Sequence, residues 1–261
     1  IDSDVFIFSG ADDLVPEFKK NPDGSFQLDS NGDYKLNEIH RSTSEGNFTI
    51  RFYKPRIEGL FARIERWIED VTGCIKWRVI TKDNITSLFG WTASAIISDP
   101  DDATKIFEWL PEFIFDDKGN CSHYLYKKED SMGFDESLLH NRNRNKEGNI
   151  SYTNLYLEKV LYGNKTPYLQ FGDSFPNETN YMFQTVFDYG TNDFNNIPFD
   201  QINHWDFRHD AFSDYKAGFE IRTTRLCKRV LLFHVFEELA HKPDKSDKKT
   251  LIRSVNFDYD V

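Results

Sequence analysis

Cysteine is scarce and scattered in this chain: Cys74, Cys121 and Cys227 are the only three among 261 residues. An odd number at such distances is neither a disulfide framework nor a zinc-ligand pattern, so buried free thiols made in a reducing cytosol are expected. Long apolar runs are missing too. The longest, residues 230–233, stops at His234, far short of the roughly 20 residues that a membrane helix requires. No basic segment followed by an apolar one opens the chain, so no signal peptide is expected, and the sequence begins directly on a strand-like run. Positive charge is in deficit, with 32 Lys+Arg against 43 Asp+Glu and a net charge of −11. Such a surface repels phosphate backbones and anionic lipids, which argues against a nucleic-acid partner and against membrane insertion. Glycine-rich phosphate loops and the Gly-x-Ser-x-Gly elbow are absent, leaving nucleotide-binding and hydrolase chemistry without support. Five Asn-x-Ser/Thr sequons, at Asn47, Asn84, Asn149, Asn164 and Asn177, matter only on a eukaryotic secretory route.

Aromatic residues are plentiful, at 16% with 24 Phe and 12 Tyr, and they favour sheet over helix. Short aromatic or β-branched runs alternate with turns along the whole chain. Strands are expected over 5–8, 26–28, 34–36, 48–53, 61–68, 76–81, 155–162, 183–189, 219–224, 229–236 and 251–259. Asn31-Gly32 marks a hairpin of type I′. The run 56–68 fits either a helical stripe or a strand by periodicity, and its pairing context decides for strand. Pro111 inside the run 106–115 implies an edge strand or a bulge. Residues 116–120 read as a turn, 136–141 as one short helix and 242–249 as a solvated loop. No fixed-period repeat stands out, only a loose recurrence of Phe-Asp at Phe115-Asp116, Phe187-Asp188 and Phe257-Asp258. The fold class is therefore all-β, mainly antiparallel, with at most one or two short helices. Residues 1–261 are expected to form one domain, with the loop 132–149 as its one candidate seam.

Four constellations could carry chemistry. Arg41-Ser42-Thr43-Ser44 imitates the NAD site of ADP-ribosyltransferase toxins. Yet the Arg abuts the Ser-Thr-Ser, and no Glu-x-Glu follows; Glu237 and Glu238 are adjacent, so on a strand they would face opposite ways. Asp29, Asn31 and Asp33 imitate the first ligands of a calcium loop, which then fails at Tyr34, where Gly is needed, and at His40, where Glu is needed. A polar turn is expected there instead. His204, His209 and His234 with Cys227 lack a spacing that converges on an ion in either a strand or a helix. Arg222, Arg225, Lys228 and Arg229 form a basic cluster. It is either an anion or payload contact, or it is neutralised by carboxylates such as Glu220 and Asp214, or it lines a sheet edge. No catalytic, cofactor-binding or metal-binding residue is assigned, and no cofactor is expected.

Residues 205–239 (WDFRHDAFSDYKAGFEIRTTRLCKRVLLFHVFEEL) resemble the closing part of the SpvB-type domain of bacterial insecticidal toxin complexes. Six more blocks follow the same order: 4–16 (DVFIFSGADDLVP), 53–67 (YKPRIEGLFARIERW), 77–90 (WRVITKDNITSLFG), 97–130, 154–167 and 187–190 (FDYG). The chain thus resembles much of that domain in the complex's B component, which is related to Rhs/YD-repeat shell proteins. The resemblance implies a segment of an Rhs-like β-sheet shell, built together with a C component that carries a toxin payload. The pore-forming A component would be met only through a β-propeller that these residues do not include. The Gly-rich opening of the family domain and an ADP-ribosyltransferase domain are also not among them. A non-enzymatic structural module is the resulting expectation, made in a bacterial cytoplasm and released outside the cell. Its rivals are an ADP-ribosyltransferase-like enzyme and a secreted carbohydrate-binding β adhesin.

Overall fold

The computed structural model describes residues 5–8, 13–59, 61–130, 132–135, 137–138, 141, 145–146, 149–150, 153–169, 171–172, 174–190, 205–240 and 248–259. Nineteen strands occur among them. They are β1 (Phe6–Ile7), β2 (Asp13–Pro16), β3 (Glu38–Thr43), β4 (Gly46–Pro55), β5 (Arg63–Glu69), β6 (Ile75–Ile80), β7 (Thr86–Phe89), β8 (Ile96–Asp99), β9 (Asp102–Trp109) and β10 (Pro111–Phe115). There follow β11 (Cys121–Lys128), β12 (Asn145–Lys146), β13 (Asn149–Ile150), β14 (Leu155–Asn164), β15 (Tyr181–Asp188), β16 (Phe212–Asp214), β17 (Ile221–Thr223), β18 (Arg229–Val235) and β19 (Lys249–Asn256). Helical structure among the described residues is limited to 3-10 turns such as Ala93–Ala95, Glu178–Asn180 and Glu237–Leu239. The all-β expectation holds.

Thirteen strands form one antiparallel sheet in the order β1-β2-β4-β5-β6-β7-β10-β11-β14-β15-β18-β19, with β3 beside β4. One transverse row crosses ten of them: Phe52, Glu65, Arg78, Leu88, Phe113, His123, Leu161, Gln184, Phe233 and Leu251 are paired in sequence. Directly opposed residues share a face, so this row fixes which side chains point together. Trp77 and Arg78, neighbours in β6, point to opposite sides. On the Trp77 side lie Leu14, Tyr53, Ile64, Ile75 and Val79, packed by Phe6, Phe8 and Trp109. The ribbon β8–β9 is pinned there by the Trp109 indole N–H, which donates to Ile75 O at 2.7 Å. On the Arg78 side, Phe48, Ile50 and Trp67 and Leu88, Phe113, Phe115 and Cys121 are roofed by Tyr168, Phe171 and Phe175 from the β14–β15 connection. Asn164 anchors that roof: its Oδ1 accepts from Cys121 N at 2.7 Å, and its Nδ2 donates to Gly119 O and Thr166 O at 2.8 Å.

Several expectations change in detail. The ambiguous run is strand β5, and it starts at Arg63 because Phe61 takes a left-handed φ of 49°. The run 106–115 is two strands in two sheets. Trp109 ends β9, Pro111 opens β10, and the β10–β7 register shifts between Pro111 and Phe113, so the proline does mark a bulge. Residue 249, expected in a loop, begins β19, which ends at Asn256. Half of the expected helix 136–141 and most of the loop 242–249 fall outside the described residues; of the rest, residues 137–138 form a turn and bend and Asn141 a 3-10 position. Cys74 is exposed, and Cys121 alone of the three thiols is fully buried.

The hairpin at Asn31-Gly32 is not a two-residue type I′ turn. Asp29 closes a five-residue loop, its Oδ1 accepting from Asn31 N at 2.8 Å and Asp33 N at 3.0 Å. This loop belongs to an eight-residue repeat that sequence inspection misses: Phe18, Phe26 and Tyr34 are equivalent, as are Gly24 and Gly32, both with φ of 87°. The three rings pack mutually, with centroids 5.0–6.1 Å apart. Backbone hydrogen bonds close a ring among the three copies, Lys19 N to Lys35 O, Lys35 N to Gln27 O and Gln27 N to Lys19 O, at 2.8–2.9 Å. Only isolated bridges result, not ladders, because each copy offers one or two residues to each neighbour.

His123, in the transverse row, stacks on Phe113 at 4.1 Å, and its Nδ1 is buried without a partner among the described residues. Burial lowers its imidazole from 6.5 to about 4. Between those pH values the unfolded chain takes up a proton that the folded chain refuses. The stability due to neutral His123 is therefore complete above about pH 6.5 and is lost as pH falls toward about 4. In urea titrations across that window, the wild type should lose stability relative to His123→Phe; a pH-independent difference between the two would contradict this.

Candidate functional site: buried ion pairs and an aromatic cavity

The basic cluster divides into side chains with separate tasks. Arg225 is buried, its side chain 1% exposed, and pairs with the fully buried Glu129 at 2.7 Å and with Asp130 at 2.9 Å. Its Nη2 also donates to Met132 O at 2.9 Å, and its Nη1 donates to Trp205 O. Glu129 Oε2 in turn accepts from the Tyr156 hydroxyl at 2.7 Å and from the Thr224 hydroxyl. Burial, with the Glu129 charge second, pushes the Tyr156 phenol up to about 12. Arg229 lies directly opposite Asp188 across β15–β18 and pairs with it at 2.5 Å, both side chains 2% exposed. Asp188 Oδ1 also accepts from Gly190 N at 2.9 Å. Arg222 donates to Ser213 Oγ at 3.0 Å and reaches Glu220 only at 4.0 Å. Asp214 pairs with Lys216 instead. Neutralisation within the fold is thus the outcome for Arg225 and Arg229. Their partners Glu129 and Asp188 are distant in sequence and were not anticipated, and β18 is not an edge strand. The Phe-Asp pattern at Phe187-Asp188 was the one signal that could have pointed to Asp188.

A third buried carboxylate, which no sequence motif marks, sits toward the other end of the sheet. Glu65 is 1% exposed and is held by Arg63 at 2.5 Å, by Arg78 at 2.9 Å and by the Trp67 indole N–H at 2.9 Å. Both ends of the sheet therefore keep their buried carboxylates within reach of arginine. Buried charges of this kind are tolerated only when paired and hydrogen-bonded.

Arg41, Ser42 and Thr43 lie on β3, and Ser44 lies in the turn into β4. The exposed Arg41 guanidinium stacks over Trp67 and Phe171, with centroids at 5.6 and 5.9 Å. Thr43, Ser44 and Glu45 border a cavity of about 30 Å³, whose aromatic lining is Phe48, Trp67, Trp91, Phe171 and Phe175. Glu237 and Glu238 sit in a 3-10 turn after β18, eight strands along the sheet from β4, so they do not meet Arg41 within it. Asp29 is engaged by its own turn, as the polar reading expects. His204 lies outside the described residues, His209 is exposed, and His234 packs its ring 5.0 Å from Phe183. No group of three or more His, Cys, Asp or Glu is arranged for a metal among the described residues. Burial pushes the Cys227 thiol up to about 11 and raises Cys121 as well, which keeps both protonated and poorly nucleophilic at neutral pH. A larger groove of about 300 Å³ runs between the β8–β9 turn and Tyr126, Lys128 and Leu155. Its one carboxylate, Asp99, is 3.9 Å from Lys105.

The family model described as Salmonella virulence plasmid 65kDa B protein matches residues 1–236. The chain belongs to the SpvB family. A relative from Salmonella typhimurium, named Mono(ADP-ribosyl)transferase SpvB, is 35% identical over 220 residues, which is 82% of this chain and 35% of that protein. The chain thus spans about a third of the length of the curated relatives it matches. Among solved structures, the N-terminal domain of effector protein SpvB from Salmonella typhimurium strain LT2 matches 99% of the chain and 82% of its own, at 28% identity and a TM-score of 0.80. The crystal structure of TcdB2-TccC3 matches the whole chain and 12% of its own, at 29% identity and a TM-score of 0.81. This is an SpvB-type domain, related to the B component of Tc toxins, and the expected resemblance is borne out.

Replacing Arg225 by Met should strand Glu129 in the interior and lower the unfolding free energy by about 3–5 kcal/mol, whereas Arg225→Met with Glu129→Gln should recover much of that loss. Urea denaturation of the two variants checks this; equal losses in both would contradict the buried-pair account.

Proposed function

We propose that this SpvB-family domain is a non-enzymatic structural module of a bacterial toxin complex, a piece of the β-sheet wall that encloses a cytotoxic payload. The observation that carries this is the single thirteen-strand sheet, whose buried polar side chains are committed to holding strands together. Glu65, Glu129 and Asp188 are consumed in ion pairs with buried or half-buried arginines, and Cys121 and Cys227 are held protonated. The likeness to TcdB2-TccC3 along the whole chain supports the same reading. The partners would be the remainder of a B-component chain and a C component carrying the payload. Contact with a pore-forming A component would run through other regions. Synthesis in the bacterial cytoplasm and release from the cell belong to the same proposal.

The name of the Salmonella relatives favours one rival, ADP-ribosyl transfer. Against it stands the space beside Arg41: about 30 Å³, when pockets for small organic ligands run to roughly 300–1,000 Å³. The matched region is moreover the N-terminal domain of the effector. NAD hydrolysis by the purified chain should remain at background both in the wild type and in Arg41→Ala. Robust turnover that disappears in the variant would contradict the proposal.

A wall segment also exposes strand edges. Among the described residues β19 pairs only with β18 and β3 only with β4, and β19 shows Ile252 at 53% and Val255 at 39% exposure. Open apolar edges recruit further strands, and lysine on an edge blocks them. The isolated chain should therefore self-associate with rising concentration in sedimentation experiments, and Ile252→Lys with Val255→Lys should suppress this. A wild type that stays monomeric at every concentration would count against the wall.

A further inference from the structure

We propose that the cavity beside the β3–β4 turn recognises a carboxylate, presented by an acidic side chain or by the free C-terminus of a polypeptide. Two kinds of donor belong to its lining or lie against its lining rings. The first is the buried indole N–H of Trp91, which has no acceptor among the described residues; Trp91 lines the cavity together with Thr43 and Ser44. A buried N–H left without an acceptor is costly, so native structures almost always supply one. The second is the Arg41 guanidinium, held over Trp67 and Phe171, two of the cavity's own lining rings, with no carboxylate partner among the described residues.

The surroundings favour an anion over a neutral acceptor. Arg78 lies 4.5 Å over the Phe171 ring, and Lys76 lies 4.2 Å over the Trp91 ring and 4.8 Å over that of Phe48. Glu45, the one carboxylate in the lining, is already bound to Lys76 Nζ at 2.8 Å. The buried carboxylate Glu112 is bonded to Thr92 at 2.7 and 2.8 Å beside Trp91, and Arg41 adds at the rim a positive charge with no ion pair among the described residues, in a chain whose net charge is −11. Size narrows the ligand further. A water needs about 10–15 Å³ of such space, so about 30 Å³ suits the three heavy atoms of a carboxylate and not a sugar ring or a nucleotide. Aromatic walls raise the strength of charge-assisted hydrogen bonds by excluding water. This inference does not depend on the wall function, since a carboxylate site of this kind would serve a partner chain in any assembly.

Indole N–H resonances of the intact protein in two-dimensional NMR give the test, with the Trp91 signal assigned from Trp91→Phe. Three probes are added at constant ionic strength against a sodium chloride control: sodium acetate, an amidated peptide with one internal glutamate, and a glutamate-free peptide with a free C-terminus. The expected result is a saturable shift of the Trp91 signal with at least one of the two peptides, weakened about tenfold or more in Arg41→Gln and less in Arg41→Lys. Because Arg41 is exposed, the rest of the spectrum should be preserved in both variants. Whichever peptide binds identifies the source of the carboxylate, and a shift with acetate but with neither peptide would overturn the proposal of a polypeptide ligand. No saturable shift with any probe, an equal shift with chloride, or a shift that survives unchanged in Arg41→Gln would overturn the proposal.

Discussion

The fixed register across ten strands is the constraint on which the other features of this domain rest. The row from Phe52 to Leu251 commits every strand it crosses, because a slip of one residue would carry all of that strand's side chains to the other face. Near one end a slip would expel Trp67 and Glu65 from beneath the Phe171 roof. Near the other it would separate Asp188 from Arg229, which sit opposite one another and are both 2% exposed. The ion pairs therefore act as register markers: each carboxylate is tolerated in the interior only at the one alignment that delivers its arginine.

That constraint also explains the distribution of polar chemistry. In an enzyme, acids, bases and nucleophiles converge on open space with unequal proton affinities. Here Glu65, Glu129 and Asp188 converge on guanidiniums, an indole and hydroxyls, Glu112 is bonded to Thr92 and raised by burial, and Tyr156 and Cys227 likewise owe their raised proton affinity chiefly to burial. The open space beside Arg41 is small, about 30 Å³, and the larger groove has Asp99, Tyr126 and Lys128 as its titratable lining. Cohesion between strands is the task these residues share, in keeping with an SpvB-type domain related to a Tc toxin component.

Local patterns carried much of the fold. Alternation placed β4, β5, β6, β14, β15 and β18 within a few residues, and Pro111 announced its bulge. What escaped was set by distant or unusual contacts. The start of β5 depends on Phe61 adopting a left-handed backbone, which no aromatic side chain advertises. The eight-residue repeat around Phe18, Phe26 and Tyr34 is too short and too degenerate to detect without the ring of backbone hydrogen bonds that it forms. The partners of Arg225 and Arg229 were sought nearby, at Glu220 and Asp214, whereas Glu129 and Asp188 reach them only through the strand order β11-β14-β15-β18. The Arg41-Ser42-Thr43 motif was legible as a motif and uninformative as chemistry, since its significance lies in Trp67, Trp91 and Phe171, brought to it by two other segments.

Amide hydrogen exchange, compared between the isolated chain and the chain co-expressed with a full B component and its C component, tests the central claim most directly. If this domain is wall, the outward-facing amides of β3 and β19 should exchange readily alone and become protected in the assembly, while the strands between them remain protected in both. Unchanged exchange at both edges on assembly would contradict the account.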